Sequence, residues 1–187
     1  MMTHRRHLCA IAAAALLSLA AVGPAGPARA ADRAETELTA TAALEKLYAE
    51  NGAARALGEK AVAMLIFPKI TKAGFGVGGE VGRGVLRIGG VSEGHYRTVS
   101  LSVGLQVGFQ TYGYVLFFMS DDALQGFRAQ DGFELGVDGS AVVLDEGASV
   151  DIDTTSLKAD TVAIVFDESG LMANATIEGS KITRLDD

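Results

Sequence analysis

Tryptophan is absent from this 187-residue chain, proline occurs three times and cysteine once. Pro24, Pro27 and Cys9 all fall within the first thirty residues, so the remainder has no disulfide and must be held together by its core. Histidine is almost as scarce: beyond His4 and His7 the chain keeps only His95, in the polar turn Ser92-Glu93-Gly94-His95. A histidine-based metal site would need partners that the chain lacks. A Ser-His-Asp triad would have to use His95; the literal GxSxG at Gly90-Val91-Ser92-Glu93-Gly94 falls in that polar turn and not at a strand-to-helix elbow, and Gly147-Ala148-Ser149-Val150-Asp151 lacks the final glycine. There is no GxxxxGK[ST] phosphate loop. Nor, after residue 30, is there an apolar run long enough to span a bilayer, since Ala61 to Phe67 stops at Pro68. Excess positive charge is missing as well. The whole chain has 16 basic and 23 acidic side chains, a poor balance for binding nucleic acid.

What is present begins with an address. His4, Arg5, Arg6 and His7 make a basic segment, Leu8 to Val22 an apolar one, and Ala28-Arg29-Ala30 an AxA cleavage site, so residues 1–30 are expected to be a cleaved secretory signal. Cys9 lacks the small residues that a lipoprotein signal places before its cysteine. Residues 31–187 then form one expected domain of about 157 residues, long enough for its own core. Without Arg5, Arg6 and Arg29 its balance is 13 basic to 23 acidic, about −10. The charge is uneven: residues 55–97 carry seven basic and three acidic groups, residues 98–187 four and fifteen.

Helical spacing of Leu38, Thr41, Leu44, Leu47 and Tyr48 predicts an amphipathic helix over 33–48, broken at Asn51-Gly52. A second short helix is expected from Ala53 to about Met64, with Ala54, Leu57 and Ala61 on one face. Beyond Pro68 the period becomes two. Val99, Leu101, Val103, Leu105, Val107 and Phe109 alternate with serine, glycine and glutamine, the clearest strand in the chain. Further strands are expected near 73–79, 83–89, 112–119, 133–144, 148–153, 161–167, 171–177 and 180–185. Ser120 is placed to cap a helix at Asp121 to Arg128 that turns Leu124 and Phe127 inward. The fold expected is α+β: mainly antiparallel sheet, as a sandwich or flattened barrel, with N-terminal helices in 31–64 and mostly strand in 65–187.

The stretch KAGFGVGGEVGRGVLRIGG, residues 72–90, contains a literal GxGxxG at Gly74, Gly76 and Gly79. A dinucleotide site requires those glycines to open a helix. A helix through Gly82, Gly84, Gly89 and Gly90 would instead lose about 1 kcal/mol per glycine, so strands are the better reading. Gly74, Gly76, Gly78 and Gly79, with Gly104 and Gly108, then give bare strand faces for close packing against a sheet, a helix or an acyl chain. The carboxylate pairs Asp121-Asp122, Asp145-Glu146, Asp151 with Asp153, and Asp167-Glu168 fall at expected turns. Lys69, Lys72, Arg83, Arg87 and Arg97 are the basic cluster of an otherwise acidic chain. Beside Phe67, Ile70 and Phe75 they could form a positive rim for an anionic lipid headgroup, or they could be solvated surface charges.

Four stretches, AVAMLIFPKITKAGFGVGGEVGRGVL, SLSVGLQVGFQTYGYVLFFMSDDAL, FELGVDGSAVVL and GLMANATIEGSKITRL, resemble the SYLF domain in order and spacing. The resemblance implies a binding module with no catalytic residues, no metal and no cofactor, and membrane phospholipid as its ligand class. Certain eukaryotic members regulate actin, a partner that an exported bacterial chain would not meet. Family members that bind phosphoinositides use a basic amphipathic N-terminal helix, whereas here Arg33 and Lys46 are set against Glu35, Glu37, Glu45 and Glu50. Lipid contact is therefore expected through Lys69, Lys72, Arg83 and Arg87, with Phe67 and Phe75 meeting acyl carbon, in a periplasmic or cell-envelope protein. The alternative is an envelope module that binds protein and has no lipid ligand.

Overall fold

The computed structural model describes residues 26–139, 141–145, 159–170, 177 and 179–185. Two helices lead: α1 (Gly26–Glu50) and α2 (Gly52–Lys60). Asn51 caps α2 by accepting from the Ala54 backbone N–H at 2.9 Å, the usual way to satisfy an orphan amide at a helix start. The long strands β1 (Ala63–Ile88) and β2 (Val91–Phe118) follow, joined by the two-residue turn Gly89-Gly90. Both turn residues have positive φ, +56° and +83°, which glycine adopts without strain. Helix α3 (Asp121–Arg128) precedes β3 (Phe133–Glu134), β4 (Val142–Asp145), β5 (Thr161–Gly170) and β6 (Lys181–Arg184).

The expected α+β fold is what the chain adopts, as one curled, mostly antiparallel half-barrel sheet of these six strands. Strand β2 is its axis. β1 runs antiparallel along one edge, while β5 and β6 pair antiparallel with the C-terminal and N-terminal parts of the other. One pairing departs from the expected meander, because β4 lies parallel to β5. Boundaries differ more than kinds. The separate strands expected at 73–79 and 83–89 are one strand that already begins at Ala63, where the second helix was expected to continue, and those at 99–109 and 112–119 are likewise one. The β1–β2 ladder runs without a register shift through both expected breaks, at 80–82 and 110–111. The 133–144 strand is split by a turn at Gly136–Asp138. The strand expected at 148–153, most of that at 171–177, Asp151, Asp153 and the leader through residue 25 lie outside the described residues.

A bulge at Pro68, between the pairs Phe67 to Tyr114 and Ile70 to Tyr112, reverses the alternation of β1. Phe67 and Ile70 therefore both point inward. The inner face of the curl packs Leu65, Phe67, Ile70, Leu86, Tyr112, Tyr114, Leu116 and Phe118 against Leu124 and Phe127 of α3. Ser120 caps α3, accepting from the Ala123 N–H at 3.2 Å. The outer face packs Ile66, Val85, Val115, Phe117, Val162, Ile164 and Phe166 under α1 and α2. Helix α1 uses Ala40, Leu44 and Leu47 for this, leaving Leu38, expected on the packed side, 73% exposed. Side chains buried on both faces, each worth about 1.5–3 kcal/mol, make a double core that substitutes for disulfides.

The close approach expected of the glycines is made by two of their neighbours. β1 folds back over its own beginning, so a Cβ at Gly84 would lie 2.5 Å from the Ile66 carbonyl oxygen and one at Gly82 would lie 2.6 Å from Ile70 Cγ1. Gly79, by contrast, has room, with its nearest neighbours 3.7 Å away. No helix follows the GxGxxG, because strand runs through it from end to end.

Candidate anion-binding site

The expected basic residues do not gather on one rim. Lys72 is buried inside the half-barrel, its Nζ 4.0 Å from Glu80 Oε2, and Tyr112 donates to the same carboxylate oxygen at 2.7 Å. Phe67 is fully buried and stacks obliquely on Tyr114 at 4.9 Å between ring centroids, so it meets core rather than solvent. Arg87 serves as a clasp on α1, donating to Glu37 Oε2 at 3.0 Å, to the Glu37 carbonyl at 3.2 Å and to Thr41 Oγ1 at 2.7 Å. Phe75 stands opposite Val107 in the ladder, and its side chain is outside the described set. Lys69 is exposed in a mixed-charge groove of about 690 Å³ between α1 and β1, which it shares with Lys46, Glu35 and Asp167.

Arg83 does reach a basic site, together with residues that sequence spacing could not assemble. A cavity of about 470 Å³ opens between the start of α1, β1, β2 and β6, and its walls carry Arg29, Arg33, Arg83, Arg97 and Arg184, with His95. Asp32 is the one carboxylate among the described lining residues, and it pairs with Arg83. Register explains the convergence. Arg83 pairs directly with Arg97 across β1 and β2, while Tyr96 pairs with Arg184 across β2 and β6, so three strands deliver arginines to one end of the sheet. Arg184 is oriented by donating to the Glu93 carbonyl at 3.2 Å, and Glu93 is in turn held by Arg128 at 3.0 Å. Among the described residues Arg97 has no ion-pair partner. Guanidinium groups stay charged at any physiological pH and offer paired N–H donors matched to phosphate oxygens. Clustered against one carboxylate in a concave wall, they focus a positive potential within an acidic protein.

Glu37 ties this cavity to the clasp. Ser92 donates to its Oε2 at 2.8 Å, and its Oε1 lies 3.3 Å from Nε2 of the cavity residue His95. Burial pushes the Glu37 carboxyl up, but hydrogen bonds from Ser92 and Arg87 and the charges of Arg87 and His95 outweigh it, so the group is held below the usual range. On the inner face, burial raises the Tyr114 hydroxyl far above its ordinary value, and the phenol stays protonated while donating to Thr98 at 3.3 Å.

The chain is thus an α+β domain, a helix-flanked, mostly antiparallel half-barrel with an arginine-lined cleft at one end. Residues 99–187 match the family model Ysc84, described as Las17-binding protein actin regulator, which agrees with the SYLF resemblance of the sequence. A comparison with curated proteins finds no match. Among the described residues, no helix is long and apolar enough to cross a membrane and no group of three or more metal-ligating side chains occurs.

Proposed function

We propose that the protein is a non-enzymatic, peripheral phospholipid-binding module of the cell envelope that takes an anionic headgroup into the arginine-lined cavity. The observation that carries this reading is the convergence of Arg33, Arg83, Arg97 and Arg184, all beyond the expected leader, on one cleft with a single carboxylate. The volume suits a phosphorylated headgroup rather than a whole lipid, being near the low end for small-molecule sites. The leader-like first thirty residues support an exported location. Of the residues first singled out, Arg83 and Arg97 line this cavity and Lys69 borders the neighbouring groove.

Co-sedimentation with vesicles of phosphatidylglycerol and phosphatidylcholine, against phosphatidylcholine alone, tests the reading. Binding is expected with the anionic vesicles only, falling as salt rises. Arg97→Gln with Arg184→Gln should cost about 1 kcal/mol per charge, about thirtyfold in affinity together. No pelleting with either vesicle would remove the lipid reading, and pelleting indifferent to both salt and the substitutions would remove the arginines from it.

The family's description as a Las17-binding actin regulator favours a second reading, a protein-interaction module. Crosslinking in intact cells followed by mass spectrometry distinguishes the two by recovering a reproducible protein partner.

A further inference from the structure

The arginine pair at the mouth of the cavity belongs to the outer face of the β1–β2 hairpin, and that face changes character away from it. Successive cross-strand rows are Arg83 with Arg97, Val81 with Val99, and Gly79 with Leu101. Alternation puts these residues on one side, and the opposite side carries Glu80, Gly82 and Thr98, all buried in the curl. On the outer side Leu101 is 82% exposed, Val81 51% and, past the bend marked by the register shift between Phe75 and Val77, Phe109 56%, with its partner Ala73 also exposed. Helices α1 and α2 cover this face around Val85, Val115 and Phe117, while Val81, Leu101 and Phe109 stay exposed. Large apolar side chains collected on one face, with charge at its border, mark an interaction surface rather than scattered surface residues.

We infer that the outer face of the hairpin bend is a membrane-insertion surface, with Leu101, Val81 and Phe109 entering the acyl region of an anionic bilayer while Arg83 and Arg97 stay at the phosphate level. The order of the rows argues for a bilayer over a second copy of the chain. Four residues of strand separate the Arg83–Arg97 row from Leu101, about 13 Å, comparable to the step from headgroup charge to hydrocarbon. An anionic lipid surface supplies the charge opposite to the Arg83–Arg97 row that borders the patch. Gly79, opposite Leu101, keeps that row narrow, so Leu101 stands proud of the ribbon. This inference rests on the lipid reading above and adds the orientation: the cavity would take a headgroup from the same leaflet that the bend enters.

Because the chain has no tryptophan, Leu101→Trp installs a single depth probe, and Val137→Trp, at an exposed turn between β3 and β4, serves as the control. With phosphatidylglycerol-containing vesicles, the Leu101→Trp emission should shift to the blue and be quenched by lipids brominated along the acyl chain, while Val137→Trp responds to neither. Leu101→Ser with Phe109→Ser should lower vesicle affinity at least tenfold and leave the far-ultraviolet circular dichroism unchanged. If wild-type protein pellets with the vesicles but Leu101→Trp is not quenched, insertion is wrong and the headgroup reading stands. If wild-type protein does not pellet, the lipid reading itself fails. A blue shift that grows with protein concentration in the absence of vesicles would assign the surface to self-association instead.

Discussion

Arg83 and Arg97 face each other directly across the β1–β2 ladder, and Asp32 pairs with Arg83. Like charges opposite one another on a sheet destabilise by some tenths of a kcal/mol up to about 1 kcal/mol. Arg97→Gln is therefore expected to stabilise the protein slightly in anion-free buffer. Calorimetry in rising pyrophosphate should show the wild-type midpoint climbing by several degrees at concentrations well above the dissociation constant, and the variant's hardly moving. A variant less stable than wild type without anion would mean that Arg97 has a structural rather than a ligand-binding role.

Two glycines of the same strand should respond oppositely to alanine. Gly84→Ala forces a Cβ within 2.5 Å of the Ile66 carbonyl oxygen and 2.6 Å of Phe67 Cδ1, contacts that only backbone movement can relieve. A loss of about 1–3 kcal/mol is expected in urea denaturation. Gly79→Ala meets nothing closer than 3.7 Å and should be neutral or slightly stabilising.

The buried pair Lys72 and Glu80 gives a double-mutant cycle. Lys72→Met leaves the Glu80 carboxylate with Tyr112 alone, and Glu80→Gln leaves an ammonium inside the half-barrel, so each should cost about 3–5 kcal/mol. The double substitution should recover much of that loss. Purely additive losses would show that the two charges do not interact.

Acid should loosen α1. The Glu37 carboxyl titrates below its ordinary value of 4.5 in the folded protein, so it binds a proton less readily there than in the unfolded chain. Its contribution is fully present above that ordinary value and is lost as pH falls through the lower, folded one. Hydrogen exchange of the α1 amides should rise over that window, and Glu37→Gln should flatten the dependence. An unchanged profile in the variant would assign the acid sensitivity to other carboxylates.

Much of the scaffold was legible in the sequence because local rules govern it. The Ser120 cap with Leu124 and Phe127 specified α3, the alternation of Val99 to Phe109 specified the heart of β2, and glycine density removed any nucleotide helix. Leu38 was misplaced because apolar spacing on α1 fits two overlapping faces, and only contact with β1 selects that of Ala40, Leu44 and Leu47. Phe67 was placed at a lipid edge because the Pro68 bulge, which turns both it and Ile70 inward, has no local signature beyond the proline. Lys72 was placed there because its partner, Glu80, reaches it only when the strand curls. Arg184 and Arg33 had no signal at all, lying at opposite ends of the chain.

By itself the sequence determined the kinds of element, the disulfide-free core and the segment in which positive charge is concentrated, since propensity, periodicity and composition act between near neighbours. The tertiary structure alone decided which charges are available. Curling a long hairpin buried Lys72, committed Arg87 to α1, and brought Arg83, Arg97 and Arg184 from three strands to one cleft. The physical reason is that register and curvature are set by long-range pairing, and the field at a site depends on which charges share it, not on their order along the chain.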